Sequence, residues 1–233
     1  WGAANTQKII DAARRLNTCV DRVLLAALAW CCRCQHGHSS TLISLESYGR
    51  PELFDNIDVS RTIGWFTAAY PMVISVSKDN LKKENIEQDI IDIDKQLKLV
   101  SNNGIGWGLL KYLTSKNMRL ESLAASKSLE ISDIKQKLNF DSNMFDLNPD
   151  INFNYLGEFE AYSRDMFKPA LEDTGSSTAE GAAVIHDLDI NGAVAQGQLQ
   201  VIWNYNQKRL AKERINKMVQ DFSLLIDRVV QLF

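Results

Sequence analysis

Apolar residues recur at helical spacing in four long stretches of the chain and alternate with polar ones in several short stretches. Residues 5–17 set Ile9, Ala13 and Leu16 on one stripe, which predicts an amphipathic helix. Thr18-Cys-Val-Asp21 has the pattern of a capping box, in which Thr18 caps the next helix and Asp21 reaches back to its backbone amide. That helix, running to about Cys34, is apolar nearly all round and is predicted to be central. Leu81–Val100 carries Ile86, Ile90, Ile93, Leu97 and Val100 at helical spacing with charges opposite. Arg209–Phe233 does the same with Ile215, Met218, Phe222, Leu225 and Val229.

Strands are predicted over Thr41–Glu46, Ala69–Val76 and Ile151–Phe159. Val184–Ile190 and Leu199–Tyr205 both alternate and read as a pair, with Gln196-Gly197 as their turn. His186 shares the apolar face of the first with Val184, Leu188 and Ile190, which predicts a hydrogen-bonded core histidine. Pro51–Ser60 is a polar loop with turn residues Asp55 and Asn56, and Thr174–Thr178 is a loop or ragged linker. Leu109–Leu113 reads as a short helix and Leu120–Leu138 as helical in pieces. Asn103–Gly108 is glycine-rich but lacks the spacing of a nucleotide-binding loop and follows a helix, so it reads as a turn that lets backbones approach. The sum is an α/β chain of the α+β type: one mixed sheet covered by long helices, with no internal repeat.

Composition narrows the function classes. With 233 residues, 45% of them hydrophobic, the chain can bury a core without staples. A net charge of -3 and the absence of a basic block argue against nucleic acid as a partner. The longest apolar run, Val23–Cys32, is about half of the roughly 20 residues that a membrane helix needs. The chain opens at Trp1 without a basic-then-apolar leader and without Met, which reads as a piece of something longer rather than a secretory precursor. Cys31, Cys32 and Cys34 crowd together beside Cys19, which is no disulfide framework and fits a reducing, cytoplasmic setting. Cys32-x-Cys34-x-His36-x-His38 invites a metal, but it ends a buried helix, whereas zinc sites draw ligand pairs from separated turns; packed cysteines and surface histidines are expected.

The chemistry concentrates in two short blocks, Glu46-Ser-Tyr-Gly-Arg50 and Arg61-Thr-Ile-Gly-Trp-Phe-Thr-Ala-Ala-Tyr-Pro71. They mix glycine, aromatics and charge, and so make poor core material. Taken alone, Glu46 at a strand exit beside arginines reads as a solvated or ion-paired group. The blocks resemble the epimerization domains of non-ribosomal peptide synthetases, whose motifs read roughly Glu-Gly-His-Gly-Arg-Glu and Arg-Thr-Val-Gly-Trp-Phe-Thr-x-x-Tyr-Pro. Asp21, Leu24, Leu25 and Ala27 match a further Asp-x-x-Leu-Leu-x-Ala block, for which a capping role of Asp21 suffices. Gly104 to Gly108, with Trp107 in place of tyrosine, is similar to a Gly-x-Gly-Tyr-Gly block, and Phe153 to Gly157 to a Phe-Asn-Tyr-Leu-Gly-Gln block.

The resemblance implies one lobe of a chloramphenicol-acetyltransferase-like fold and the inversion of an α-carbon in an aminoacyl or peptidyl thioester. Glu46 falls on the family's catalytic acid/base. Asn154 and Tyr155 fall on positions implicated in stabilising the enolate, where donors must await the developing charge. In an ideal strand these two point to opposite faces, so joint service needs a bulge, for which Gly157 provides. Tyr155 in the core and Asn154 satisfying an edge is the plainer alternative. An arginine against a general base would favour its charged form, so structural roles are expected of Arg50 and Arg61.

Ser47, Tyr48 and Pro51 depart from the family block. The His-His-x-x-x-Asp-Gly motif that supplies the family's second acid/base does not occur here. Residues 1–233 therefore resemble the C-terminal lobe alone, expected to be inactive without an N-terminal lobe. No cofactor is implied on the chain itself. The substrate would ride on the 4'-phosphopantetheine arm of a peptidyl carrier protein, and neighbouring synthetase domains would be partners. A condensation-domain lobe, or a lobe retired to docking carrier proteins, are the alternatives.

Overall fold

The computed structural model describes residues 1–51, 56–77, 82–113, 145–159, 175 and 183–232. Five helices and five strands follow the order α1 (Ala3–Arg15), α2 (Val20–His36), β1 (Ser40–Ser47), β2 (Ala68–Ser75), α3 (Lys83–Lys98), the short α4 (Ile105–Gly108), β3 (Ile151–Phe159), β4 (Leu188–Ala195), β5 (Gln198–Tyr205) and α5 (Lys212–Leu232) among these residues. The sheet order is β2-β1-β3-β4-β5; β1, β3 and β4 run parallel, and the two outer strands are antiparallel to their neighbours. The predicted mixed sheet with covering helices is the architecture observed.

The apolar periodicities explain how it is held. Eleven residues of α2 are buried, as expected of a helix without a polar face, and it packs against α3, α5 and the sheet. Alternate strand residues Ile43, Leu45, Phe153, Leu188 and Ile190 join them in one core. Phe222 of α5 is 1% exposed and meets Trp203 of β5 edge-on at 5.4 Å between ring centroids. Full burial of such a ring contributes about 1.5–3 kcal/mol. No helix among the described residues is long and apolar enough to cross a membrane.

Three local expectations are corrected. The capping box does not form: Cys19 is the N-cap of α2 without a side-chain cap bond. Thr18 Oγ1 instead donates to Asp94 of α3 at 3.0 Å, and the Asp21 carboxyl takes the backbone and side chain of Arg22. The strand predicted over Val184–Ile190 begins at Leu188 and continues to Ala195, while Val184 and Ile185 are exposed. Its ladder with β3 starts where Leu188 N–H donates to the Asp150 carbonyl. His186 is accordingly half-buried in the approach rather than in the core, with Nδ1 2.7 Å from the Pro149 carbonyl. Finally, Leu109–Leu113 is a single π-type turn and α5 starts at Lys212 rather than Arg209. The turn Gln196-Gly197 does join β4 to β5, both residues at positive φ. Leu120–Leu138 and Thr174–Thr178, except Gly175, lie outside the described residues.

Candidate active site

Because side chains of a strand alternate between faces, each strand that offers an apolar residue to α2 offers its neighbours to the second face of the sheet. On β1 that face receives Ser44 and Glu46, on β3 Asn152 and Asn154, and on β4 Asp189 and Asn191. The parallel register pairs Ser44 with Asn152 and Leu45 with Phe153, which sets Glu46 beside Asn154. The side chains use this adjacency. Asn152 Nδ2 donates to Glu46 Oε1 at 2.8 Å and to Asp189 Oδ1 at 2.9 Å. Asn154 Nδ2 donates to Glu46 Oε2 at 2.9 Å, and Asn191 Nδ2 to Asp189 Oδ2 at 3.1 Å.

The result is an unbroken chain, Asn154–Glu46–Asn152–Asp189–Asn191, in which amides and carboxyls alternate. A carboxylate only accepts, so each amide must turn its NH2 toward the acid. Asn152, at the centre, is 6% exposed and places both of its N–H bonds on carboxyl groups. No lysine or arginine forms an ion pair with Glu46 or Asp189 among the described residues. Asn154 is therefore joined to Glu46, a pairing that the sequence reading did not foresee. Sequence reasoning misses Asn152 and Asp189, although Asn-x-Asn and Asp-x-Asn at alternate strand positions are a legible signal.

Tyr155 lies on the opposite face, against Gly192 and Leu24: a Cβ built on Gly192 would meet its ring at 3.2 Å. The strand is bulged, but the irregularity falls between Tyr155 and Glu158, with Gly157 at φ +88°, one position too late to turn Tyr155 toward Asn154. The Tyr155 hydroxyl is buried without a hydrogen-bond partner. Burial, with smaller contributions from Glu158, Asp21 and Cys19, pushes its pKa up to about 12, so the phenol keeps its proton and remains a donor. Glu46 and Tyr155 do meet at one place. Both line a cavity of about 270 Å³ at the exit of β1, walled also by Asp21, Tyr70, Leu97 and Asn103. Burial raises the Asp21 pKa there, and Arg22 opposes the shift only in part.

The blocks around Glu46 build the rim. Arg50 donates to the carbonyls of Val59 and, at 3.3 Å, Gly64, and its guanidinium lies 3.8 Å over the Phe66 ring. Gly49 is indispensable to this closure, since a Cβ there would lie 1.6 Å from the Phe66 carbonyl oxygen. Arg50 thus has the structural role expected of it, and Arg61 is exposed. Ile63 and Trp65 stand out of the same loop, 101% and 90% exposed. The departure Ser47 holds the glycine-rich turn with its side chain, Oγ donating to the Asn103 carbonyl, while Asn103 Nδ2 donates to the backbone carbonyl of Tyr48 at 3.2 Å. Gly104 (φ +78°) then passes so close to Tyr70 that a Cβ would sit 2.0 Å from its ring.

The cysteine–histidine stretch is put to other uses. Cys31 and Cys32 are buried, their thiols pushed up by desolvation, and Cys31 Sγ–H reaches the Met218 carbonyl at 3.2 Å. His36 Nε2 faces the Arg214 guanidinium. No group among the described residues gathers three potential metal ligands.

Comparison with known proteins decides the family. A model of the condensation domain matches residues 1–232. The chain belongs to the condensation-domain family. Among curated members, bacitracin synthase 3 of Bacillus licheniformis is 28% identical over 95% of this chain, and gramicidin S synthase 1 of Brevibacillus brevis 26% identical over 93%. The match spans only 3% and 18% of the length of those relatives. Among solved members of the fold, the epimerization domain from the third module of tyrocidine synthetase B superposes over 99% of this chain and 46% of its own, with a TM-score of 0.78 at 23% identity. The first condensation domain of the CDA synthetase covers 98% of this chain and 43% of its own, with a TM-score of 0.56 at 12% identity. These place the condensation-domain fold along the whole chain.

Proposed function

We propose that this chain is the C-terminal lobe of an epimerization domain that interconverts L and D residues held as thioesters on a carrier protein. The observation that carries the reading is the Glu46 carboxyl, whose two oxygens are each gripped by an asparagine amide and, among the described residues, neither by a cation. A group so held is fixed in direction, as an acid/base must be to reach a particular C–H bond. The resemblance puts the family's acid/base glutamate at this position, and the relatives named above are peptide synthetases.

In the proposed reaction Glu46 and one group on an N-terminal lobe act on opposite faces of the α-carbon. One takes the α-proton while the C–H electron pair moves into the thioester carbonyl, giving an enolate. The other returns a proton to the opposite face as the carbonyl re-forms. Tyr155, protonated, without a hydrogen-bond partner among the described residues and lining the cavity shared with Glu46, is the donor proposed for the enolate oxygen. Asn154 commits one of its two N–H bonds to Glu46 and so helps to orient it. The departure at Ser47 serves the glycine turn, to which its hydroxyl donates, and the Tyr48 side chain is exposed. The N-terminal lobe would supply the second acid/base and the other wall of the cleft, and the phosphopantetheine arm would deliver the thioester.

The test joins the chain to its upstream half and supplies a carrier loaded with L-aminoacyl thioester in deuterated water. Deuterium uptake at the α-carbon with a rising D fraction is expected. Formation of an amide with a second loaded carrier, without α-deuterium, would assign a condensation lobe instead.

A further inference from the structure

We infer that Asp189 is the positioning residue of this site, holding Glu46 in its working orientation through Asn152; the inference rests on the role of Glu46 proposed above. Glu46 stands one residue from the end of β1, where a three-bond side chain has several rotamers open to it. Two amides restrict it, but an amide restricts only if its own direction is fixed. Asn152 has one: its second N–H is bound to Asp189 Oδ1 at 2.9 Å, and the residue is 6% exposed. Asp189 is fixed in turn by Asn191 at 3.1 Å on its other oxygen, and both sit in β4, hydrogen-bonded on two sides by β3 and β5. The orientation of Glu46 is thus referred back to an interior strand.

The polarity of the chain requires this assignment. Were Asp189 replaced by a group that cannot accept, Asn152 would lose one of its two anchors, and its amide would be held only by the Glu46 carboxyl that it is meant to orient. The position therefore needs an acceptor rather than a charge. That separates positioning from an electrostatic effect of a second carboxylate. Asp189→Asn can keep an acceptor toward Asn152, with Asn191 turning its amide to match, whereas Asp189→Ala cannot.

Two measurements test this. In the first, the side-chain NH2 signals of Asn152 and Asn154 and the carboxyl carbon of Glu46 are followed by NMR in this chain. Asp189→Ala should move all three, and Asp189→Asn should leave Asn154 and Glu46 close to wild type. Unmoved Asn154 and Glu46 signals in Asp189→Ala would overturn the inference whatever the chain catalyses. In the second, α-deuterium exchange is measured on the restored domain with the loaded carrier supplied in trans. Asp189→Ala should lower kcat about 10-fold, since misplaced catalytic groups cost up to about 100-fold, with KM changed less than about 2-fold. Asp189→Asn should recover most of the loss. An Asp189→Asn variant as slow as Asp189→Ala would assign the effect to charge and contradict positioning. Exchange that survives Glu46→Gln would remove the reaction from Glu46, whereas exchange lost in Glu46→Gln but kept in Asp189→Ala would remove only the anchor.

Discussion

On the helix-covered face of the sheet, Ile43, Phe153 and Ile190 from three neighbouring strands are 0–4% exposed and pack into one apolar core with α2. One residue further along the same three strands, Ser44, Asn154 and Asn191 face the other way, and with Glu46, Asn152 and Asp189 they make the centre of that face polar among the described residues. The first face is held by area removed from water, which is non-directional and tolerates exchange of like for like. The second is held by hydrogen bonds whose donors and acceptors must alternate, so one altered group disturbs two neighbours. Stability is concentrated on one side and orientation on the other, at a separation of one residue.

The comparison can be broken first where stability resides. Phe222→Ala removes a ring that packs on Trp203 and Trp1 and should cost about 3–5 kcal/mol in urea unfolding with an unchanged m-value, which chemical denaturation will check. Asn152→Ala tests the polar face. It leaves two carboxyl oxygens without their shared donor and should cost about 1–3 kcal/mol, with activity of the restored domain falling by more than that loss of stability explains.

A carboxyl on the wrong side sharpens the contrast. Asp21 lies at the cavity beneath the helix-covered face, and burial raises its pKa above the usual 3.8. The folded chain then binds that proton more tightly than the unfolded chain. The stability Asp21 contributes is greatest below the ordinary carboxylate range and is lost as pH rises through the raised value. Asp21→Asn should flatten that part of the stability-versus-pH curve, as thermal melts from about pH 3 to pH 7 will show. The smallest effect is expected at Tyr155. Its hydroxyl has no partner, so Tyr155→Phe should leave stability unchanged or raise it by up to about 1 kcal/mol. The same variant should slow α-proton exchange in the restored domain, separating folding from function at one atom.

Much of the fold was legible because periodicity reports burial directly. The all-round apolar α2, the stripe of α5 and the turn at Gln196-Gly197 each lie where the residues put them. The errors came from partners distant in sequence. Thr18 has a cap signature, but Asp94 reaches it from α3; Val184 and His186 alternate, but the ladder begins only at Leu188, on the carbonyl of Asp150 at the entrance to another strand. Glu46, Asn154 and Tyr155 were singled out only through short blocks of family resemblance. That Asn154 touches Glu46 while Tyr155 faces away follows from strand register, which no local pattern encodes. Asp189 escaped notice for the same reason: its partner Asn152 lies 37 residues earlier in the chain.

The central claim is that the oriented Glu46 carboxyl moves the α-proton. It is tested most directly by Glu46→Gln in the restored domain, reading D/L ratio and α-deuterium on a loaded carrier. An amide of nearly the same shape cannot exchange a proton, and Asn154 can turn its own carbonyl oxygen to the new NH2, so conversion should fall by about 100-fold or more, with a melting temperature close to wild type. Conversion at the wild-type rate would contradict the account.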